Sequence, residues 1–217
     1  RSPDQVADRI SHWLETLVDS DDGVRVEVVG GVDANGMSSD TVVLTASWDA
    51  GGVAQGGRFV TRAAPTADDV PVFPSYALGH QRDVLRKVAE LTAVPVPAVR
   101  YDDPTGSALG TPMFLMEHVD GLVPPDVLPY NFGDNWFADA TVGQQRALQD
   151  ATVDVVADLH AIPDAASTFG FLVARQPGVP GSPAQHLVRV RDWYEYASRD
   201  LGASALVERG LAWLAAN

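Results

Sequence analysis

The apolar residues near the start of the chain recur at helical spacing. Val6, Ile10 and Leu14 fall on one face, which predicts an amphipathic helix over residues 3–19. Ser2 stands directly before this segment and is a typical N-cap, because its hydroxyl can accept from a free backbone N–H of the first turn. The chain therefore opens with a helix that needs an apolar partner.

Alternating apolar and polar residues, many of them β-branched or aromatic, follow this helix. They predict strands at residues 24–29, 41–48 and 57–64, the last two joined by a glycine-rich hairpin turn. A second amphipathic helix is predicted at residues 76–92, and a fifth strand, after an extended proline-rich segment, at residues 111–119. This order of elements predicts an α+β lobe with a five-stranded antiparallel sheet.

The second half of the chain carries helical patterns. Thr141 and Gln144 form a capping box, and the apolar residues that follow line one face of a helix that we expect to be buried. Two further helices are predicted at residues 184–200 and 203–216. His160 falls near the end of the capping-box helix, where a packed or capping role is favoured over a catalytic one.

The charge of the chain narrows its choice of partners. Fifteen Lys and Arg residues against 29 Asp and Glu residues give a formal net charge of −14. Such a chain repels nucleic acid and anionic membrane surfaces, whereas a cationic small molecule would be attracted. Solubility alone would also explain this charge.

The residue types present argue against metal and membrane chemistry. The chain has no cysteine, which excludes disulfides and thiolate metal sites. His12, His80 and His186 lack a ligand partner at helical spacing, so we expect no metal site within these residues. No apolar run approaches the roughly 20 residues that a membrane helix needs. A cytoplasmic location is the simplest expectation.

Three segments in this order resemble the aminoglycoside phosphotransferase family. The segment GMSSDTVVL, residues 36–44, is similar to the family's glycine-rich loop. Gly36, Ser38 and Thr41 match the family's Gly-x-Ser-Asn-x-Thr pattern, and Ser39 stands where Asn is usual. FLMEHVDG is similar to the family's hinge and VVADLHAI to its first large C-lobe helix. The resemblance covers essentially the whole chain and is greatest to the branch related to kinase-like domains fused to acyl-CoA dehydrogenases.

The resemblance implies a protein-kinase-like fold with two lobes. Residues 1–116 would form an α+β nucleotide-binding lobe, residues 117–121 the hinge, and residues 122–217 a helical and incomplete C-terminal lobe. The family's catalytic loop is expected beyond Asn217, so we expect no catalytic residue in this chain. Such a fragment would not catalyse phosphoryl transfer alone, and its open apolar faces would favour self-association.

The resemblance also implies a nucleotide site, with departures from the family's pattern. Kinases use a Lys on the third strand and a Glu on the next helix to hold the phosphates. Arg62 and Gln81 take these places here, so the charge pair is altered. The backbone of Glu117 and Val119 would hold the purine. The candidate nucleotide-binding residues are Gly36, Ser38, Ser39, Thr41, Arg62, Gln81, Glu117 and Val119.

An aromatic-rich loop lies where the family sets its substrate specificity. Its candidate substrate residues are Asp126, Tyr130, Asp134 and Trp136. The aromatic side chains could equally pack as a brace between the lobes. Asp134 follows Gly133 as in the family's His-Gly-Asp loop, but it precedes the large helix, so it reads as a loop residue.

The implied activity is transfer of a phosphoryl group from ATP or GTP, with Mg²⁺, to a small-molecule hydroxyl. The ligands of the metal ion are expected beyond this chain. Two alternatives stay open, because the family's Lys and Glu are replaced here. One is a pseudokinase that binds nucleotide without catalysis. The other is an interaction domain that binds no nucleotide.

Overall fold

The computed structural model describes residues 2–31, 39–66, 71–124, 130, 133–172 and 182–217. Their order is helix, three strands, helix, two strands, then helices alone, as the sequence predicts. The strands are β1 (Arg25–Gly31), β2 (Asp40–Ala50), β3 (Val53–Ala63), β4 (Val99–Asp103) and β5 (Met113–Glu117). The helices are α1 (Pro3–Glu15), α2 (Leu78–Leu91), α3 (Trp136–Asp139), α4 (Val142–His160), α5 (Ala165–Thr168), α6 (Pro183–Ala197) and α7 (Ala205–Ala216), with a 3₁₀ turn at Gly170–Leu172.

Helix α1 begins where the sequence predicts and ends earlier. Ser2 and Gln5 form a reciprocal capping box at its start, which satisfies two backbone donors. The helix ends at Glu15 instead of residue 19, because Thr16 closes the last turn through its N–H and its hydroxyl. Leu17 consequently lies outside the helix and is half exposed.

The described strands form one antiparallel sheet in the order β1-β2-β3-β5-β4. This confirms the predicted α+β class and five-stranded antiparallel sheet. Thr41 on β2 lies opposite Arg62 on β3, and Arg62 in turn lies opposite Phe114 on β5. Directly opposed residues share a face of the sheet, so these three side chains point the same way.

The hairpin between β2 and β3 is tighter than the sequence predicts. The predicted strands leave residues 49–56 for the turn, but only Gly51 and Gly52 form the loop, both at positive φ, as a two-residue hairpin turn requires. The remaining glycines extend the strands. Gly56 lies within β3, where a Cβ atom would meet the carbonyl oxygen of Ala46 at 2.1 Å. A side chain there would separate the two strands.

The two faces of the sheet pack against different partners. Helix α1 covers one face through Ile10 and Leu14, which meet Leu44 and Leu115 in the larger apolar core. Helix α2 lies on the opposite face, where Phe114 of β5 packs with Leu78 in a smaller core. The face toward α2 also carries Arg62, so this face holds the candidate site.

The helices of the second half pack loosely. Helix α4 has the predicted capping box of Thr141 and Gln144, yet none of its described residues is buried. The expectation of a buried helix around His160 is therefore wrong, and His160 is itself exposed. The predicted helical period is present, but the apolar face of the helix is only partly covered. None of the described helices is long and apolar enough to cross a membrane.

Helix α6 is bonded to the first half of the chain. The Trp193 indole N–H donates to the carbonyl of Val72 at 3.0 Å, and the Tyr196 hydroxyl donates to the carbonyl of Pro71 at 2.8 Å. Both acceptors lie in the segment that leads into α2. The second half therefore bonds to the sheet-bearing half next to the helix that borders the candidate site.

Candidate functional site

Arg62 lies at the centre of the face between the sheet and helix α2. Its Nη2 atom donates to the Oε1 atom of Gln81 at 3.4 Å, so the structure brings these two predicted residues together. The Nε atom of Arg62 is buried and has no hydrogen-bond partner in the described part of the chain. Burial lowers the pKa of the Arg62 guanidinium. The group is a cation that is partly removed from water, and no carboxylate of the described residues pairs with it.

Two arginines of helix α2 fix the position of Gln81. Arg82 and Arg86 both donate to the carboxylate of Asp102 on β4, at 2.6 Å and 2.7 Å. Burial acts to raise the pKa of Asp102, but hydrogen bonding and charge from Arg86 and Arg82 hold it below its ordinary value. Helix α2 has no side-chain cap at Ala77, so these ion pairs are important for holding it on the sheet.

The chain leaves the sheet after β5, at the predicted hinge. The N–H of Glu117 donates to Ala98, and the N–H of His118 donates to Arg58, each at 2.9 Å. Val119 is 69% exposed, and its amide has no hydrogen bond within the described residues. The Glu117 carboxylate pairs with Arg100, so this side chain is engaged away from any ligand.

The predicted phosphate loop lies mostly outside the described residues. This applies to Gly36 and Ser38. Ser39 and Thr41 are described, and Thr41 lies at the start of β2, directly across from Arg62. A ligand held by the segment before β2 would therefore be next to the guanidinium. The nucleotide-binding role of these residues stays a prediction.

The predicted substrate loop forms a small aromatic cluster where it is described. The rings of Tyr130 and Trp136 each meet the ring of Phe137 edge to face, at 5.4 Å and 5.6 Å. The Trp136 indole N–H donates to the carbonyl of Val123 at 2.8 Å. Asp134 is exposed, and Asp126 lies outside the described residues. These contacts all lie within residues 123–137, so both a brace between the lobes and a role in substrate binding stay predictions.

A cavity between helix α2 and the sheet was not predicted from the sequence. It has a volume of about 520 Å³, and we call it the α2 pocket. Its apolar wall includes Val84 and Leu85 of α2, Phe114 and Met116 of β5, and Leu172 of the 3₁₀ turn. The sequence gives only a weak signal for it, because the wall combines residues from four separate segments. Its polar lining residues are Arg62, His80 and Gln81.

The described residues include no group of three or more His, Asp or Glu that could hold a metal ion. Mg²⁺ ligation is therefore assigned to none of them.

No protein-family model matches the chain. Its structure is similar to the crystal structure of a protein from Ralstonia eutropha JMP134 named a putative aminoglycoside phosphotransferase, with a TM-score of 0.51 and 19% sequence identity. The chain has a protein-kinase-like fold. The match covers 95% of this chain and 51% of that chain, so this protein-kinase-like chain spans about half the length of the structure it matches. At this identity the likeness concerns the fold alone.

Proposed function

We propose that the chain is the nucleotide-binding part of a phosphotransferase that acts on a small-molecule hydroxyl. The observation that carries the proposal is Arg62 on the inner face of a kinase-like sheet. It is a cation without a carboxylate partner among the described residues, and it is hydrogen-bonded to Gln81 of the following helix. The fold shared with a protein named a putative aminoglycoside phosphotransferase supports it. On the sequence resemblance alone, we also propose that the chain is related to the kinase-like domains that are fused to acyl-CoA dehydrogenases.

The proposed chemistry follows from the donors on this face. A guanidinium can give two parallel N–H bonds to phosphate oxygens, which fixes orientation as well as charge. Gln81 holds the Arg62 fork without cancelling its charge, because an amide is neutral. The purine would bind along the hinge, with the Glu117 carbonyl as acceptor and the Val119 amide as donor. Mg²⁺ would arrive with the nucleotide and offset the charge of its phosphates.

The acceptor is proposed to be a small alcohol, preferably a cationic one. A net charge of −14 attracts cations over the whole surface. Residues Asp126, Tyr130, Asp134 and Trp136 are the proposed substrate contacts. We also propose that the chain consists of a nucleotide-binding lobe at residues 1–116, a hinge at residues 117–121 and a partial helical lobe at residues 122–217. We propose a cytoplasmic location as well.

Calorimetric titration of the 217-residue chain with MgATP and with MgGTP tests the nucleotide site. Arg62→Met should weaken binding at least tenfold, because a charge-assisted hydrogen bond contributes roughly 1.5–3 kcal/mol. Arg25→Met removes the same charge from the exposed edge strand β1 and should change the affinity less than twofold. Equal affinities for the Arg62 variant and the unmodified chain would overturn the assignment of Arg62.

A pseudokinase is the second candidate, favoured by one observation. The pair Arg62–Gln81 stands where kinases keep a Lys–Glu ion pair. Nucleotide binding without phosphate release or transfer, in a longer chain with amino alcohols as acceptors, would favour this candidate. Transfer of the γ-phosphoryl group to an alcohol would exclude it. A chain that binds neither nucleotide would be the interaction domain.

A further inference from the structure

The α2 pocket has the volume and the lining of a ligand site. Pockets for small organic molecules occupy roughly 300–1,000 Å³ and are mainly apolar with a few polar groups. The α2 pocket meets both conditions at about 520 Å³, with aliphatic and aromatic walls from Leu85, Phe114 and Met116. Water in such a cavity finds few hydrogen-bond partners, so an apolar ligand would displace it favourably.

The charge on the pocket wall is not balanced. Arg62 is the one formally charged side chain among the described lining residues. It donates to the neutral Gln81, and no carboxylate of the described residues pairs with it. Asp83 and Asp102, the acidic residues near the middle of this face, already pair with Arg82. An anionic group on a ligand would supply the counter-charge that the described residues do not.

The predicted nucleotide contacts share only part of their residues with this pocket. Arg62 and Gln81 belong to both sites, but Thr41, Glu117 and Val119 do not line the α2 pocket. A purine at the hinge with phosphates at Arg62 would not occupy the space along Leu85. The apolar wall thus needs an occupant that the proposed function does not supply.

We propose that the α2 pocket binds a small carboxylic acid with an apolar body. The carboxylate would meet Arg62, and the apolar body would lie between helix α2 and strand β5. A neutral apolar molecule would leave the cation without a counter-charge. A bare inorganic anion would leave the apolar wall in contact with water. The occupant therefore combines both features.

Binding of this acid and binding of nucleotide should compete. Both place an anionic group on Arg62, and repulsion disfavours two such groups on one guanidinium. The acid site itself does not depend on the proposed function, because its walls and its charge are present without a nucleotide. The competition does rest on that function.

Calorimetric titration with 4-phenylbutanoate tests the site on the 217-residue chain. We expect saturable binding, with 4-phenylbutanol and acetate each at least tenfold weaker, because each probe lacks one of the two features. Arg62→Met should lower the affinity for 4-phenylbutanoate at least tenfold and bring it near that of the alcohol. Arg25→Met is the matched control and should bind as the unmodified chain does. Equal binding of acid and alcohol would overturn the role of Arg62.

A second variant locates the apolar part of the ligand. Val84→Phe places a larger side chain in the pocket and should reduce binding at least tenfold, with circular dichroism confirming the helical fold. If that variant does not fold, Val84→Leu serves as the smaller obstruction. If a Val84 variant folds and its affinity for 4-phenylbutanoate is unchanged, the ligand binds elsewhere and the proposal is overturned. Absence of binding at millimolar 4-phenylbutanoate would do the same.

Parallel titrations with MgATP separate the two proposals. Acid binding without nucleotide binding would overturn the proposed function and leave the α2 pocket intact. Nucleotide binding without acid binding would overturn the pocket ligand alone. If both bind, saturating MgATP should weaken 4-phenylbutanoate severalfold, and independent binding would overturn the sharing of Arg62.

Discussion

Arg62 shows how residue type would change the chemistry of the proposed phosphate site. A Lys–Glu pair brings one positive and one negative charge, so its net charge is zero before any ligand arrives. Arg62 with Gln81 keeps a full positive charge on a planar donor. The site should therefore bind both monoanionic and dianionic groups. Its affinity for them should fall as the salt concentration rises.

Asp103 is a second residue with a defined role, although it lies at the end of strand β4 and not beside Arg62. Its side chain accepts from the N–H groups of Gly106 and Ala108 and from the hydroxyl of Thr105, at 2.8–3.0 Å. Burial acts to raise the pKa of this carboxyl, but the bonds from Ala108 and Thr105 hold it below its ordinary value. The carboxylate thus organises the connection between β4 and β5.

Asp103→Asn should lower the free energy of unfolding by about 1–3 kcal/mol at neutral pH, because one donor would then face an NH₂ group. Urea denaturation gives this difference. A carboxyl whose folded pKa is lowered stabilises above its unfolded pKa and loses that effect as pH falls through the folded value. The gap between variant and unmodified chain should therefore narrow below about pH 4. Asp22→Asn, in an exposed turn, is the control, and an equal loss in both variants would contradict the prediction.

Contacts between single residues can be predicted from the sequence where the order of strands and helices determines their positions. Arg62 and Gln81 follow from their positions on the third strand and the next helix, and they are in contact. Asp102 and Asp103 look alike in the sequence, because adjacent acids at a strand end give no sign of which one is buried. The bonds of Asp103 depend on how the following turn folds.

At the scale of elements, the strand and helix order is predictable while the boundaries are not. The period of apolar residues predicts each strand, but two glycines at positive φ, Gly51 and Gly52, decide where the β2–β3 hairpin turns. Helix α3, at Trp136–Asp139, is missed because four residues cannot show a helical period. Its cap is visible only in the structure, where Asn135 accepts from two backbone N–H groups.

Helix α2 depends on its ion pairs with strand β4. Asp102→Asn should lower the free energy of unfolding by about 1–2 kcal/mol, since its two arginine partners are only partly screened by water. Amide hydrogen exchange should accelerate over α2, because the helix loses its polar bonds to the sheet. Nucleotide affinity should fall with it, as Gln81 is displaced from Arg62.

The exposed pair Arg146–Asp150 provides a matched control for this variant. Asp150→Asn removes an ion pair between residues four apart on helix α4 and should change stability by less than about 0.5 kcal/mol. If the Asp150 and Asp102 variants lose equal stability, the ion pairs between α2 and the sheet contribute no more to the free energy of unfolding than an exposed ion pair does.

At the scale of the whole molecule, the second half exposes apolar surface. Trp213 and Leu214 of α7 are 64% and 56% exposed, and Val153 of α4 is 58% exposed. Single exposed apolar residues are ordinary, but several on neighbouring helices favour association. The net charge of −14 opposes that association.

At protein concentrations of tens of micromolar and moderate salt, we expect the burial of these apolar side chains to outweigh the charge repulsion between chains. The chain should therefore self-associate. Sedimentation velocity should show dimers or larger species, and Trp213→Glu with Val153→Glu should shift them to monomer. Val53→Glu adds charge at an equally exposed position beside the hairpin turn and serves as control. A monomer at all concentrations would show that these faces do not pair.

The sheet also joins chain segments of very different separation. Strands β2 and β3 meet across a two-residue turn, whereas Ala63 pairs with Met113, 50 residues further along the chain. In polymer terms, pairing β2 with β3 closes a short loop and restrains few backbone dihedral angles. Pairing β3 with β5 closes a long loop that contains α2 and β4. Closure entropy grows only with the logarithm of loop length, by about 0.6 kcal/mol for each doubling. Extra residues between β3 and β5 would therefore be tolerated far better than one residue added to the Gly51–Gly52 turn, where the pairing register of the hairpin is set.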